Sequence, residues 1–239
     1  VDVQNSNFTA NSKISVTGLH FRGGTGSGNY FGAKIYEDSE IAGDISFLAN
    51  DFGSPDFPVT GVFISSKIVS RINVTVSIPY PSIPVKFNQA ETSGDVSDIY
   101  ISGTITDSCN SPCSGVLLSE GNMVANIIHI SGAGGSISLQ NCEMDSDSLV
   151  VYGNSDGVKI MGGNYQSRNA SFYGSCDSCH GIDFDNNFQF TFHDGPSGLC
   201  SLVIGGESPA DPLYPIRFGT TLSFLDAKNC EVTLANRFS

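Results

Sequence analysis

The sequence predicts an all-β domain made by stacking one short strand-and-corner unit many times. Three observations carry this: a degenerate repeat, the lack of any amphipathic helical stretch, and a composition low in charge and rich in Gly, Ser, Asn and Thr. The repeat is clearest between Ser136 and Phe192, where SISLQNCEM, GVKIMGGNY and HGIDFDNNFQFTF share one pattern. Each has an apolar residue, a second two positions on, and Gly or Asn at +4: Ile137/Leu139/Asn141, Val158/Ile160/Gly162 and Ile182/Phe184/Asn186. The same template recovers Ile14/Val16/Gly18, Ile45/Phe47/Ala49, Ile99/Ile101/Gly103 and Val232/Leu234/Asn236, while Ile72/Val74 fits until Val76.

Residues i and i+2 share one face of a strand, so each unit is a strand with one apolar face. Gly and Asn tolerate left-handed backbone, so their recurrence at +4 marks a corner. Successive anchors lie 31, 27, 27, 38, 21, 24 and 50 residues apart, the last being roughly two periods. A unit recurring at such spacing is the signature of coils stacked over a common core. An average domain is about a third helix, so the absence of helical periodicity is itself informative.

In this pattern the chain resembles the right-handed parallel β-helix of the pectate-lyase-like superfamily, over nearly its whole length. The resemblance implies one β-solenoid domain over 13–239, with 1–12 as an N-terminal arm or cap strand. A β-sandwich or jelly roll is the alternative, because short alternating strands with frequent turns fit it too.

The elements follow in order. Residues 1–12 are polar with weak alternation at Val1 and Val3, and suit a first strand, a cap, or an arm pairing with a neighbouring subunit. Gly23–Gly32 is a glycine-rich loop without the Lys-Ser/Thr of a phosphate-binding loop. Pro55, Pro58, Pro79, Pro81 and Pro84 predict irregular coils or a protruding loop between Phe52 and Pro84. Asp107–Gly115 is turn chemistry, and Gly205–Pro215 is a second long loop. No segment approaches 18 consecutive apolar residues, so no membrane insertion is expected. Without an initiator Met or a signal-peptide pattern at Val1, the chain is expected to be a processed mature protein or an excised domain.

The net charge of −13 argues against nucleic acid, anionic membranes and polyanionic sugars as partners. Seven cysteines, Cys109, Cys113, Cys142, Cys176, Cys179, Cys200 and Cys230, point to disulfides and an oxidising compartment. The odd count leaves one thiol free, buried or bonded to another chain. Three N-x-S/T sequons, at Asn7, Asn73 and Asn169, agree with a secreted or virion-surface location. Cys176-Asp-Ser-Cys179-His180 matches the C-x-x-C-H of covalent haem attachment, but disulfides explain these cysteines more simply. Zinc-finger spacing is not evident, and no cofactor is expected.

Asp183 and Asp185 share the strand face opposite Ile182 and Phe184. The resemblance implies that chemistry sits on such an exposed face, and polysaccharide hydrolysis needs two spaced carboxylates. Polygalacturonase-like chains carry N-T-D, D-D, G-H-G and R-I-K; this chain has Cys179-His180-Gly181 and Arg71-Ile72-Asn73 instead of the last two, and lacks the pectate-lyase arginine pattern. Asp145, Asp147 and Asp156 offer a weak calcium site without an EF-hand loop. His129, between Ile128 and Ile130, alternates outward. Tyr30, Phe31, Tyr36, Tyr80, Tyr165, Phe172, Tyr173 and Tyr214 suit either a glycan-binding groove or coil packing.

The function expected is an extracellular, glycosylated and disulfide-bonded structural or adhesive protein. It would be a self-assembling subunit of a surface fibre or viral spike, with itself and glycans as partners. The alternative is a secreted β-helix polysaccharide lyase or glycoside hydrolase acting through Asp183 and Asp185.

Overall fold

The structure is a computed structural model. It describes residues 2–9, 11–17, 20–21, 30–48, 51–52, 59–79, 83–106, 113–176, 179–185, 187–193, 200–208, 215–219, 223–225 and 230–235. Among these residues every element is a strand, and every pair of named strands is parallel. Parallel neighbours need a crossover rather than a hairpin. That rules out the antiparallel sandwich or jelly roll.

The crossover is one full pass of the chain. Each strand pairs with the strand one pass later, so chemically similar positions stack. Ser136–Asn154 and Val158–Ser175 run side by side, with Ile137 beside Val158, Met144 beside Tyr165 and Val151 beside Phe172. Those three contacts belong to three successive faces of a pass. The first face carries the core row Ile35–Ile64–Phe87–Leu118–Leu139–Ile160–Phe184. The second carries Met123–Met144–Tyr165–Phe190. The third carries Ile45–Val74–Ile101–Ile130–Val151–Phe172–Ile204. All these side chains are buried. Alternation in and out is forced by the pleat, and full burial of one such aliphatic side chain contributes about 1.5–3 kcal/mol.

Two kinds of corner separate the faces. Between first and second, Gln89, Glu120, Asn141 and Gly162 take left-handed backbone, with φ of 53°, 52°, 50° and 73°. Between third and first, Gly103, Gly132, Gly153, Gly174 and Gly206 stack directly on one another. Here the requirement is space. A Cβ on Gly153 would lie 2.6 Å from the Gly157 carbonyl oxygen, where the chain folds back to start its next pass.

The repeat template therefore mixes two corners. Ile137, Val158 and Ile182 are true register partners on the first face. Ile14 and Ile45 are partners on the third face, yet Ile45 aligns with Val74, and Ile72 with Ile99, a slip of two residues. Gly103 belongs to the crowded corner, whereas Asn141 and Gly162 belong to the left-handed one. Gly18, Ala49, Asn186 and Asn236 lie outside the described residues.

The proline-rich stretch also differs from expectation. Val59–Ile78 is one strand of 20 residues, with two register shifts against Tyr30–Leu48, and Pro84 sits inside Ile83–Asn88. Pro55, Pro58 and Pro81 lie outside the described residues. Gly205 belongs to Cys200–Glu207. Asp2–Gln4 pairs with 34–36 of Tyr30–Leu48, and the Phe8 N–H donates to the Glu40 carbonyl at 2.8 Å, so this part of 1–12 lies against the next pass. No helix of the described residues is long and apolar enough to cross a membrane.

Gly153→Ala is expected to lower stability by about 2 kcal/mol, the range typical of overpacking against backbone. Chemical denaturation checks this; an unchanged midpoint would mean the corner is looser than described.

Candidate functional site

Outward side chains also stack from pass to pass, and three lateral clusters result. The first surrounds Asp183. Its strand Ile182–Phe184 buries Ile182 and Phe184 and turns Asp183 outward. In register on the next pass stands Arg217. Its Nε donates to Asp183 Oδ1 at 2.7 Å and its Nη2 to Oδ2 at 2.6 Å, a bidentate clasp. Hydrogen bonding to Asp183 raises the Arg217 pKa further. Asp185 is half-buried beside this pair, its backbone N–H bonded to the Ile160 carbonyl at 2.8 Å. Both oxygens of Asp183 are thus committed to a cation.

The second cluster lies between second and third faces. Asp145 and Gln166 are register partners, and the Gln166 amide donates to His193 Nδ1 at 3.1 Å. That leaves His193 Nε2 to donate to Asp145 Oδ1, with which it makes a short contact. Arg168 Nη2 stands 3.3 Å from Asp147 Oδ1. Asp95, Ser97 and Asn126 complete the wall of a groove of about 430 Å³. The lining suits a polyhydroxylated ligand, with the Asp95 and Asp147 carboxylates to accept and the Asn126 amide to donate. Among the described residues no group of three His, Cys, Asp or Glu has the geometry to hold a metal ion. The calcium reading of Asp145, Asp147 and Asp156 thus finds no supporting cluster among the described residues.

The third cluster lies on the outward side of the third face. Tyr152 and Tyr173 are register partners with ring centroids 5.2 Å apart and planes 12° apart. The Tyr173 hydroxyl donates to Glu207 Oε2 at 3.1 Å. Val150, Val151 and Ser171 join the two tyrosines around a notch of about 310 Å³. Further along the face, His129 points outward between buried Ile128 and Ile130, its ring 5.9 Å from Tyr100; burial lowers its pKa below 6.5.

The structure decides between groove and packing for several of the aromatics. Tyr165 and Phe172 are core residues, 1% and 0% exposed, with rings edge to face. Burial pushes the Tyr165 pKa well up, and its hydroxyl rests on the Gly162 carbonyl at 3.4 Å. Phe31 packs on Phe63, and Lys34 Nζ lies 3.8 Å from the Tyr36 ring centre. The side chains of Tyr30, Tyr80 and Tyr214 lie outside the described residues. Tyr152, 43% exposed, was not among the sequence candidates. Period two counted from buried Val151 and Gly153 would have found it.

Cys176 and Cys179 are bonded to each other, so neither sulfur is left for a haem thioether. Cys200 and Cys230 join strands one pass apart. Cys113 is also disulfide-bonded, and Cys109 lies outside the described residues. Cys142 is the free thiol: it is buried, its Sγ 3.5 Å from the Gln140 carbonyl, and burial raises its pKa. Of the sequon residues, Asn7 and Asn169 are exposed and Asn73 is half-buried in mid-strand, with Asn169 Oδ1 accepting from Ser201 Oγ at 3.1 Å.

The buried Cys142 thiol is expected to resist iodoacetamide in native protein and to react at once in guanidinium; rapid native labelling would contradict its burial. Comparison of the chain with models of protein families, with curated proteins and with solved structures finds no match.

Proposed function

We propose that this chain is an extracellular structural or adhesive protein without catalytic activity, wound as a right-handed parallel β-helix and assembling end to end with copies of itself, as in a surface fibre or viral spike. The handedness follows the rule that crossovers between parallel strands of one sheet are almost always right-handed. Disulfides and outward-facing sequons suit an oxidising compartment. The cross-pass link Cys200–Cys230 spans 30 residues, and closing such a loop stabilises a fold by about 3–4 kcal/mol in the chain-entropy view.

One observation carries the assembly reading. In Cys200–Glu207, Leu202 and Ile204 are buried in their core rows, but their partners on Cys230–Ala235 are not: Val232 is 41% and Leu234 58% exposed. Among the described residues the rows stay open at this end, and Cys230–Ala235 pairs only with Cys200–Glu207. Val3 and Ile14 stand at the other end of the same stack, only partly buried. A second copy continuing the register would set Val3 on Phe218, Ile14 on Leu234, and Asp2 against Arg217, which pairs apolar with apolar and acid with base. The hydrolase or lyase alternative rests on Asp183 and Asp185 acting together, and the clasp by Arg217 weighs against Asp183 as acid or base.

Light scattering and negative-stain imaging test this reading. Wild-type protein is expected to form linear or closed oligomers, and Val232→Lys with Leu234→Lys to leave monomers with an unchanged circular dichroism melt. Wild-type protein that stays monomeric at high concentration would refute it.

A further inference from the structure

We infer that the notch beside Tyr152 and Tyr173 is a binding site for a neutral polysaccharide, one pyranose ring lying against Tyr152 where Tyr173 stacks behind it. This gives the adhesive reading above its ligand, and it stands on a different surface from the ends that would mediate assembly. A pyranose has an apolar C–H face and a rim of hydroxyls, so its site needs a flat aromatic surface with hydrogen-bonding groups at the edge. The notch has both. The two rings stack on each other, so the aromatic surface open to a sugar is that of Tyr152, 43% exposed and held by Tyr173 behind it, and Val150 extends the apolar wall. Ser171 offers a hydroxyl, and the Tyr173 phenol, held by its bond to Glu207, offers another. An apolar enclosure with few fixed polar groups is the usual anatomy of a small-ligand site.

The ligand's length follows from the register. From Tyr152 the same outward row continues through Ser131, Ser102 and Thr75 on the preceding passes. Neighbouring strands lie about 4.8 Å apart, close to the length of one sugar residue, so a glycan running along the stack meets one hydroxyl per pass beyond the tyrosines. Beside this row Arg71, Asn73, Tyr100 and His129 border a trough of about 380 Å³. The chain's net charge of −13 selects a neutral glycan over a polyuronate.

Titration calorimetry on protein freed of N-glycans tests the inference, with cellohexaose, laminarihexaose, mannohexaose and hexagalacturonate as probes. At least one neutral hexasaccharide is expected to bind. Tyr152→Ala with Tyr173→Ala should weaken it about ten-fold, the loss expected when a stacking surface goes, with the thermal midpoint as a folding control. Tyr152→Phe, which keeps the ring, should bind like wild type. The inference is overturned if no neutral hexasaccharide binds, if only hexagalacturonate binds, or if the double alanine variant binds as tightly as wild type. Light scattering of the same sample separates the two readings: a monomer that binds sugar defeats assembly alone, and an oligomer that binds none defeats the sugar site alone.

Discussion

Everything in this molecule depends on parallel passes of chain lying about 4.8 Å apart with like positions on like. Once that spacing is imposed, an inward side chain has its counterparts above and below it as nearest neighbours. Apolar rows such as Ile101–Ile130–Val151–Phe172 then bury one another along the whole stack. The glycine row is the other side of the same constraint. Where the third face meets the first, the backbone of one pass turns back so closely that a Cβ has no room, and each of five consecutive passes supplies a glycine there. Stability is therefore spread along the stack rather than held in one central cluster, as in other repeat folds.

The same rule organises the surface. Asp183 meets Arg217, Tyr152 meets Tyr173, Asp145 meets Gln166 and Asn169 meets Ser201 because each pair occupies equal positions on adjacent passes. Such a surface arranges its chemistry in lines parallel to the stack, which favours extended partners over compact ones. The two functional readings share this logic. A second copy continues the lines at an end, and an extended glycan follows one of them along a side.

Much of the fold was legible in the sequence because period-two burial leaves a direct trace, and Ile137, Val158 and Ile182 stack as their spacing implies. The slip at Ile72 had a physical cause. Period-two alternation fits equally well two residues out, so on the third face the template takes Ile72 where Val74 is the partner of Ile45. The jump from Ile99 to Ile137 changes face, because both corners use glycine. The strand Val59–Ile78 was obscured by flanking prolines and by breaks in its own alternation at 60–62 and 69–71, although 72–78 alternates cleanly. The sites were harder to see. Arg217 lies 34 residues from Asp183 and His193 lies 48 from Asp145; nothing local marks either pair, and only the length of each pass brings them together. By sequence Tyr165 and Phe172 suited a groove or the core equally, and only register sets them inside.

Paired cysteines test the register most directly. Thr75 and Ser102 face each other across adjacent passes on the outward side of the third face, while Thr104 is the partner of Ser77. In a background lacking Cys142, Thr75→Cys with Ser102→Cys is expected to close a disulfide under mild oxidation, since register partners lie within the roughly 7 Å that such a bond spans. Thr75→Cys with Thr104→Cys should remain reduced. Closure of the second pair with failure of the first would show that the passes do not stack as described, and the core rows, the surface ladders and both functional readings would fall with them.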